Sequence, residues 1–261
     1  MHESLNGIVL AGGTGSRLHP LTKVTNKHLL PVGQYPMIYH PLMRLREAGI
    51  ERVAVVTSPE HMGDVVNLLG SGRALGLDLT YRVQDKPGGI AQALGLCENF
   101  AGGKPFLVAL GDNILEDDLV EEVEVFRNQK RGARILLKEV PDPERYGVPR
   151  FDGGQIVEIT EKPKDPASTY AVTGLYFYDA QVFDFIRTLS PSRRGEYEVS
   201  DLNSAYVNQS ELTYGVLKGW WGDAGTLEGW HEANQLARHL VYPALSPKKK
   251  QPNDLGNGNR A

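Results

Sequence analysis

Between Leu5 and Pro31 the chain reads LNGIVLAGGTGSRLHPLTKVTNKHLLP. A short apolar run, Ile8 to Ala11, feeds a turn built from Gly12, Gly13, Thr14 and Gly15, and Arg17 and Lys27 follow downstream. A buried strand that ends in such a turn aims several backbone N–H groups at one point. Glycine permits the positive φ angles and the close approach that a side chain would forbid. Two cations beside that nest of amides make a receptor for a polyphosphate. A Gly-Gly-x-Gly sequence after a strand can also be a plain turn, so the rest of the chain has to decide.

Two familiar phosphate loops do not fit. A Walker loop needs Gly-x-x-x-x-Gly-Lys-Ser/Thr, which the chain lacks. A dinucleotide fingerprint needs Gly-x-Gly-x-x-Gly, but counting from Gly13 places Leu18 at the third glycine, and counting from Gly12 places Thr14 at the second. The length, 261 residues, suits one large α/β domain, and 41% apolar residues can build its core. A net charge of −4 with scattered basic residues argues against nucleic acid as a partner. The lone Cys97, among Ala93, Leu94 and Leu96, is expected as a buried thiol. No leader-like segment opens the sequence, and no apolar run approaches the roughly 18 residues of a membrane span. A cytoplasmic, reducing setting is expected, with no membrane partner.

Strand and helix patterns alternate through the first half of the chain. Pro36–Gly49 is predicted as a helix bent by Pro41, Val53–Val56 as a strand, and Ser58-Pro59 as the start of a helix running to about Leu69. Leu77–Val83 and Phe106–Leu110 read as strands. A helix is expected over Ile90–Cys97, another around Leu119–Phe126, and a strand over Ala133–Lys138. This order predicts an α/β fold: three layers, with a doubly wound, mostly parallel sheet between helices. Ligands of such sheets bind at the carboxyl ends of strands, where the glycine turn, the loop from Gln84 to Gly89 and the turn at Asp112 all fall. After Val140 short strands (Val148–Phe151, Gln155–Thr160, Tyr170–Tyr178) predict a smaller antiparallel part that covers the mouth of the crevice and extends the sheet. Helices are expected from Ala180 to Leu189, from Glu198 to Gln209 and from Leu227 to His239, with one strand over Leu212–Trp221. The sequence is read as a single domain over 1–245, with a nucleotide-binding part over about 1–140 and a sugar-binding part over about 141–225. Residues 246–261 are read as a disordered tail. Helix faces rich in Leu and Met serve either the core or a subunit contact, so a homo-oligomer stays open.

Asp112 follows an apolar strand directly, where a carboxylate beside a phosphate loop suits a magnesium ion. Magnesium usually takes one or two protein carboxylates, and Asp223 in Trp-Trp-Gly-Asp-Ala-Gly-Thr is the second candidate. Either aspartate alone is also an ordinary turn or cap residue. Glu161-Lys162-Pro163 ends a strand-like run, so the side chains of Glu161 and Lys162 are expected on opposite faces. Gly174, within Val172–Asp179, would let backbone approach a ligand, or marks a bulge.

Taken together, Gly12-Gly13-x-Gly15-x-Arg17 followed by Lys27-x-x-x-Pro31 resembles the sugar-phosphate nucleotidyltransferases. Residues 5–240 are most similar to the glucose-1-phosphate thymidylyltransferase branch of that family. The matching segments are Tyr35–Leu42, Ala91–Ala93, Leu110–Asn113, Glu144–Val148, Val172–Asp179 and Arg194–Glu198. The resemblance implies a Rossmann-like nucleotidyltransferase fold and Mg²⁺-dependent transfer of a nucleotidyl group, from TTP by preference, to a sugar 1-phosphate. It implies a triphosphate on Leu10, Ala11 and Gly12 to Gly15, with Arg17 on the leaving pyrophosphate and the base at Gln84 and Gly89. Lys27 would lie near the transferred phosphate, and Asp112 and Asp223 would hold the metal. Gly147, Glu161, Lys162, Val172, Gly174 and Tyr176 would take the sugar phosphate, Glu161 on hydroxyls and Lys162 on phosphate. His28 stands where the family has glutamine, Gly88 where it often has aspartate, and Gly222 and Ala224 where a larger apolar residue and a threonine are usual. The short C-terminal end implies that the family's regulatory nucleotide site is missing or altered. Uridylyl transfer on the same scaffold, or a silent nucleotide-sugar sensor, are the alternatives. The sensor fits less well, because Arg17, Lys27, Asp112, Lys162 and Asp223 are all in place.

Overall fold

The computed structural model describes residues 5–245, so the tail read over 246–261 lies outside the described residues. The first half contains β1 (Asn6–Ala11), β2 (Pro31–Val32), β3 (Tyr35–Pro36), α1 (Tyr39–Glu47), β4 (Arg52–Thr57), α2 (Met62–Leu69) and β5 (Asp78–Val83). Next come α3 (Ile90–Gly95), α4 (Glu98–Ala101), β6 (Phe106–Leu110), β7 (Asn113–Leu115), α5 (Val120–Asn128) and β8 (Ala133–Glu139). The second half adds β9 (Gly147–Asp152), β10 (Gln155–Glu161), β11 (Tyr170–Tyr178), α6 (Val182–Thr188), α7 (Val199–Asn208), β12 (Leu212–Val216), β13 (Trp221–Asp223) and α8 (Leu227–Ala237).

One nine-stranded sheet carries strands from both halves. β5, β4, β1 and β6 run parallel in that order, so the loops after β1, β5 and β6 emerge at the same edge. The long β11 enters antiparallel between β6 and β8, and β12 pairs parallel with β8. β9 and β10 form an antiparallel pair that joins the sheet where Gly147 meets Val172. Side chains alternate across β1: Val9 and Ala11 enter one core with α1, α2 and α5, while Ile8 and Leu10 enter a second with α3, α4, α6 and α7. Two apolar cores on the two faces of one sheet make the predicted three layers. A third, smaller core packs Leu18, Val32 and Met37 against α8.

Several boundaries depart from the sequence reading. Pro36 belongs to the β2–β3 hairpin rather than to α1. Pro41 is the third residue of α1, where N–H groups lack an intrahelical partner, so the expected loss of a donor does not arise. The strand expected over Leu212–Trp221 is two strands on different partners, β12 on β8 and β13 on β7. The break has a local cause: the Asp117 carboxylate accepts the amides of Lys218 at 2.8 Å and Gly219 at 2.9 Å, and turns the chain off the sheet. Cys97 is buried, as expected, and burial pushes its thiol up to about 12.

Candidate active site

The three loops at the carboxyl edge enclose a cavity of about 300 Å³. Leu10, Gly12, Gly13, Arg17, Lys27, Gln84, Gly89, Asp112 and Asp223 all line it. Gly13 and Gly15 have φ of 95° and 61°, the left-handed region that the turn requires. The Gly15 carbonyl accepts the Leu18 amide at 2.9 Å and the Thr22 hydroxyl at 2.7 Å, which fixes the loop on its own downstream segment. Ala11 is buried at the end of β1, and Thr14 is exposed at the crest of the turn.

Lys27 reaches the site on a short 3-10 turn, Lys27–Leu29, whose N-cap is Asn26. The Asn26 side-chain Oδ1 accepts the His28 amide at 2.8 Å and contacts His28 Nδ1 at 2.7 Å. That anchor delivers Lys27 Nζ to Asp112 Oδ2 at 2.5 Å. His28 is buried beneath the loop, and burial together with the Lys27 charge drives its imidazole down to about 3, so it is neutral.

Asp112 and Asp223 lie far apart in sequence and adjacent in space. β7 and β13 pair antiparallel with Asn113 opposite Asp223, and the Ala224 amide donates to the Asp112 carbonyl at 2.9 Å. Gly225 forms the floor between the two carboxylates. A Cβ placed there would lie 2.9 Å from Asp223 Oδ1, 3.2 Å from Asp112 Oδ2 and 3.2 Å from an Arg17 guanidinium nitrogen. Two carboxylates and one guanidinium thus face a single small volume that only glycine leaves open. The two acids are not equivalent. Burial and the neighbouring Asp112 charge raise the Asp223 carboxyl. Burial would raise Asp112 too, but the Lys27 and His28 side chains and the hydrogen bonds from Lys27 and Asn113 hold it below the usual carboxylate range.

Asn113 ties this pair to the sheet. Its Oδ1 accepts the Gly174 amide and the Trp221 indole N–H, each at 2.8 Å, while its Nδ2 donates to Asp112 Oδ1 at 3.2 Å. The absence of a side chain at Gly174 is what admits Asn113, because a Cβ would stand 2.6 Å from Asn113 Cγ. The β8–β11 register also shifts between Val172 and Tyr176, so the bulge reading of Gly174 holds as well.

A second cluster adjoins the cavity. Gly147 is paired with both Glu161 and Val172 across the strands. Glu161 Oε2 accepts the Ser200 hydroxyl at 2.6 Å. Lys162 Nζ lies 3.6 Å from Glu161 Oε1, and Arg194 lies 3.8 Å from the same carboxylate. The expectation that Glu161 and Lys162 point to opposite faces therefore fails. β10 ends at Glu161, and Lys162 takes φ 46°, a left-handed conformation that folds its side chain back toward its neighbour. A non-glycine residue before proline in that region is strained, and such strain collects at functional sites. Tyr176 is buried between the clusters: burial raises its phenol, and Glu161, Asp112 and Asp223 add to the shift. Tyr146 packs edge-on against Trp221 at 5.2 Å, and burial with the Asp223 charge pushes it up to about 12.

Asn113, His28, Tyr146 and Trp221 were not among the expected site residues. Each carried a signal: Asn113 and Tyr146 lie in the matching segments Leu110–Asn113 and Glu144–Val148, His28 replaces the family's glutamine, and Trp221 precedes Asp223 by two residues. Among the described residues no three His, Cys, Asp or Glu side chains converge as a metal cluster, and no helix is long and apolar enough to cross a membrane.

Residues 6–239 match the family described as nucleotidyl transferase. This chain belongs to that family. It is an enzyme of the transferase class, and its glycine loop and paired aspartates fall inside the matched region. It is 45% identical over 231 residues to a glucose-1-phosphate thymidylyltransferase of Xanthomonas campestris, covering 87% of this chain and 78% of that one. A crystal structure of a Bacillus anthracis protein assigned as glucose-1-phosphate thymidylyltransferase, in complex with sucrose, superposes with a TM-score of 0.89. It is 56% identical and covers 92% of this chain and 97% of its own. A UDP-glucose pyrophosphorylase complexed with UDP-glucose shares the fold at a TM-score of 0.80 and 24% identity, covering 90% of this chain and 98% of its own.

Proposed function

We propose that this nucleotidyltransferase joins TTP to glucose 1-phosphate, giving dTDP-glucose and pyrophosphate. A phosphate oxygen of the sugar phosphate attacks the α-phosphorus of the triphosphate in line, and pyrophosphate leaves. The substrate brings its own nucleophile, so the protein's task is to position two anions and to neutralise charge. The amides of Gly12 to Gly15, with Leu10 and Ala11 behind them, hold the triphosphate, and Arg17 neutralises the departing pyrophosphate. Lys27 stands at the transferred phosphate. Lys162 orients the attacking phosphate, and Glu161 with Gly147, Val172, Gly174 and Tyr176 shapes the sugar site. Residues 1–140 supply the nucleotide half and 141–225 the sugar half of one domain.

The observation that carries this reading is the volume over Gly225, where Asp112 Oδ2, Asp223 Oδ1 and Arg17 converge beside the glycine loop. Two carboxylates at an open, phosphate-facing edge suit Mg²⁺, which completes its octahedron with phosphate oxygens and water. Asp112 and Asp223 would hold it, and when bound it supplies charge neutralisation between the reacting phosphates. The names of the relatives point to the thymidylyl group and to glucose 1-phosphate.

Pyrophosphate release from TTP and glucose 1-phosphate with Mg²⁺ tests the proposal. Absence of release with every pyrimidine triphosphate and every common hexose 1-phosphate would refute it. Competition between UTP and TTP separates thymidylyl from uridylyl transfer.

A further inference from the structure

At the end of the cavity formed by the loop from Gln84 to Gly89, Gln84 on the wall and Gln92 behind it make hydrogen bonds of fixed sense. Gln84 is buried, and its Nε2 donates to Gln92 Oε1 at 2.7 Å and to the Gly89 carbonyl at 3.2 Å. Gln92 Oε1 also accepts the Gly88 amide at 3.2 Å. Two donors converge on one oxygen, so the Gln92 amide is itself oriented: flipping it would set its NH₂ against the Gly88 N–H. The loop that carries Gly88 and Gly89 is held in turn by residue 197. The Tyr197 amide donates to the Gly88 carbonyl at 2.8 Å, and the Tyr197 carbonyl accepts the Ala91 amide at 3.2 Å. With both hydrogens of its amide directed into the protein, Gln84 turns its Oε1 to the cavity wall beside Gly12, where a Cβ on Gly12 would stand 2.8 Å from it.

We infer that Gln92 is a positioning residue for base selection: it locks the Gln84 amide so that an acceptor, and not a donor, faces the nucleobase. The inference rests on the proposed nucleotidyl transfer and deepens it. A base that presents an imide N–H, uracil or thymine, meets Oε1 with a donor. Cytosine presents an unprotonated ring nitrogen and an amino group, so its ring nitrogen would face Oε1 acceptor to acceptor. Without the lock the Gln84 side chain can rotate and offer its NH₂ to cytosine, because the two ends of a primary amide have the same shape. Gln92 itself does not line the cavity wall that Gln84 presents, so it acts through Gln84.

The experiment compares kcat/KM for TTP and CTP, with glucose 1-phosphate fixed, in the wild type and in Gln92→Leu, Gln92→Ala and Gln92→Glu. Leucine and alanine remove the acceptor, and the TTP-over-CTP ratio should fall at least about tenfold, the size of one mispaired buried polar group. Glutamate keeps an oxygen that accepts from both Gln84 and Gly88, and its ratio should stay within about threefold of the wild type. A general loosening of the fold would lower both substrates alike and leave the ratio unmoved. Equilibrium dialysis of TTP against CTP reads the same ratio in any variant that binds without turning over. A wild-type preference that survives in folded Gln92→Leu or Gln92→Ala overturns the inference, as does a wild type that does not distinguish the two nucleotides. The function proposed above fails separately, if the wild type turns over no pyrimidine triphosphate at all.

Discussion

The amide of Ala224 donates to the carbonyl of Asp112 at 2.9 Å, and that bond makes one site of two remote segments. It sets Asp223 against Asp112 with Gly225 as the floor between them. A methyl group on that floor would occupy the space the carboxylates share. Gly225→Ala should therefore abolish pyrophosphate release, by at least about a hundredfold, while the melting temperature stays within a few degrees of wild type. Asp112→Asn should lower turnover by about 10²–10³-fold with the cooperative unfolding transition retained. Near-wild-type rates in either variant would remove the paired aspartates from the chemistry.

Acid should destabilise the chain through two buried imidazoles. His40 is buried between the Tyr242 hydroxyl at 2.8 Å and the Val32 carbonyl at 2.9 Å, and burial lowers it from 6.5 to about 4. Between those values the unfolded chain binds a proton that the folded chain refuses, so stability falls as pH drops from 6.5 toward 4. His28 does the same down to about 3. Each imidazole contributes a slope of up to about 1.4 kcal/mol per pH unit. Urea denaturation across this range should show His40→Gln losing about one proton of this uptake. An unchanged slope would mean that His40 is not held neutral.

Lys162 separates charge from backbone strain. Both Lys162→Ala and Lys162→Gly should raise the KM for glucose 1-phosphate, because both delete the ammonium. The glycine variant should be more stable than the alanine variant by about 1 kcal/mol or more, since only glycine takes φ 46° without strain. Equal stability would mean that the left-handed turn is not maintained in solution.

Gly174→Ala tests whether Asn113 is the hub of the site. The new methyl would press on the Asn113 amide, at a cost of about 1–3 kcal/mol, and would displace the partner of both Asp112 and Trp221. Turnover should fall together with stability. Adding Asn113→Ala should recover part of the stability and none of the turnover, a non-additive pair in a double-mutant cycle.

The fold class was legible because its signals are local. Alternating apolar runs of strand and helix period, with short links, leave few ways to bury both faces of a sheet, and β1, β4, β5 and β6 follow that order. The insertion of β11 between β6 and β8 was not legible, since nothing in either strand's period names its neighbour. Nor was the split of residues 212–223, which depends on the carboxylate of Asp117, distant in sequence, accepting two amides. Lys162 shows the same limit on a smaller scale: period-two alternation placed it opposite Glu161, and a single left-handed residue reversed that.

The glycine turn, the two cations after it and the two aspartates are written in the sequence, because each depends on residue type and on what lies next to it along the chain. Strand pairing determined which oxygen of Asp112 meets Lys27, that Asp223 arrives beside it, and that Asn113 fills the space left by Gly174. These are contacts between segments that meet only when the sheet closes, and their distances are set by packing and hydrogen-bond register, which no local pattern encodes.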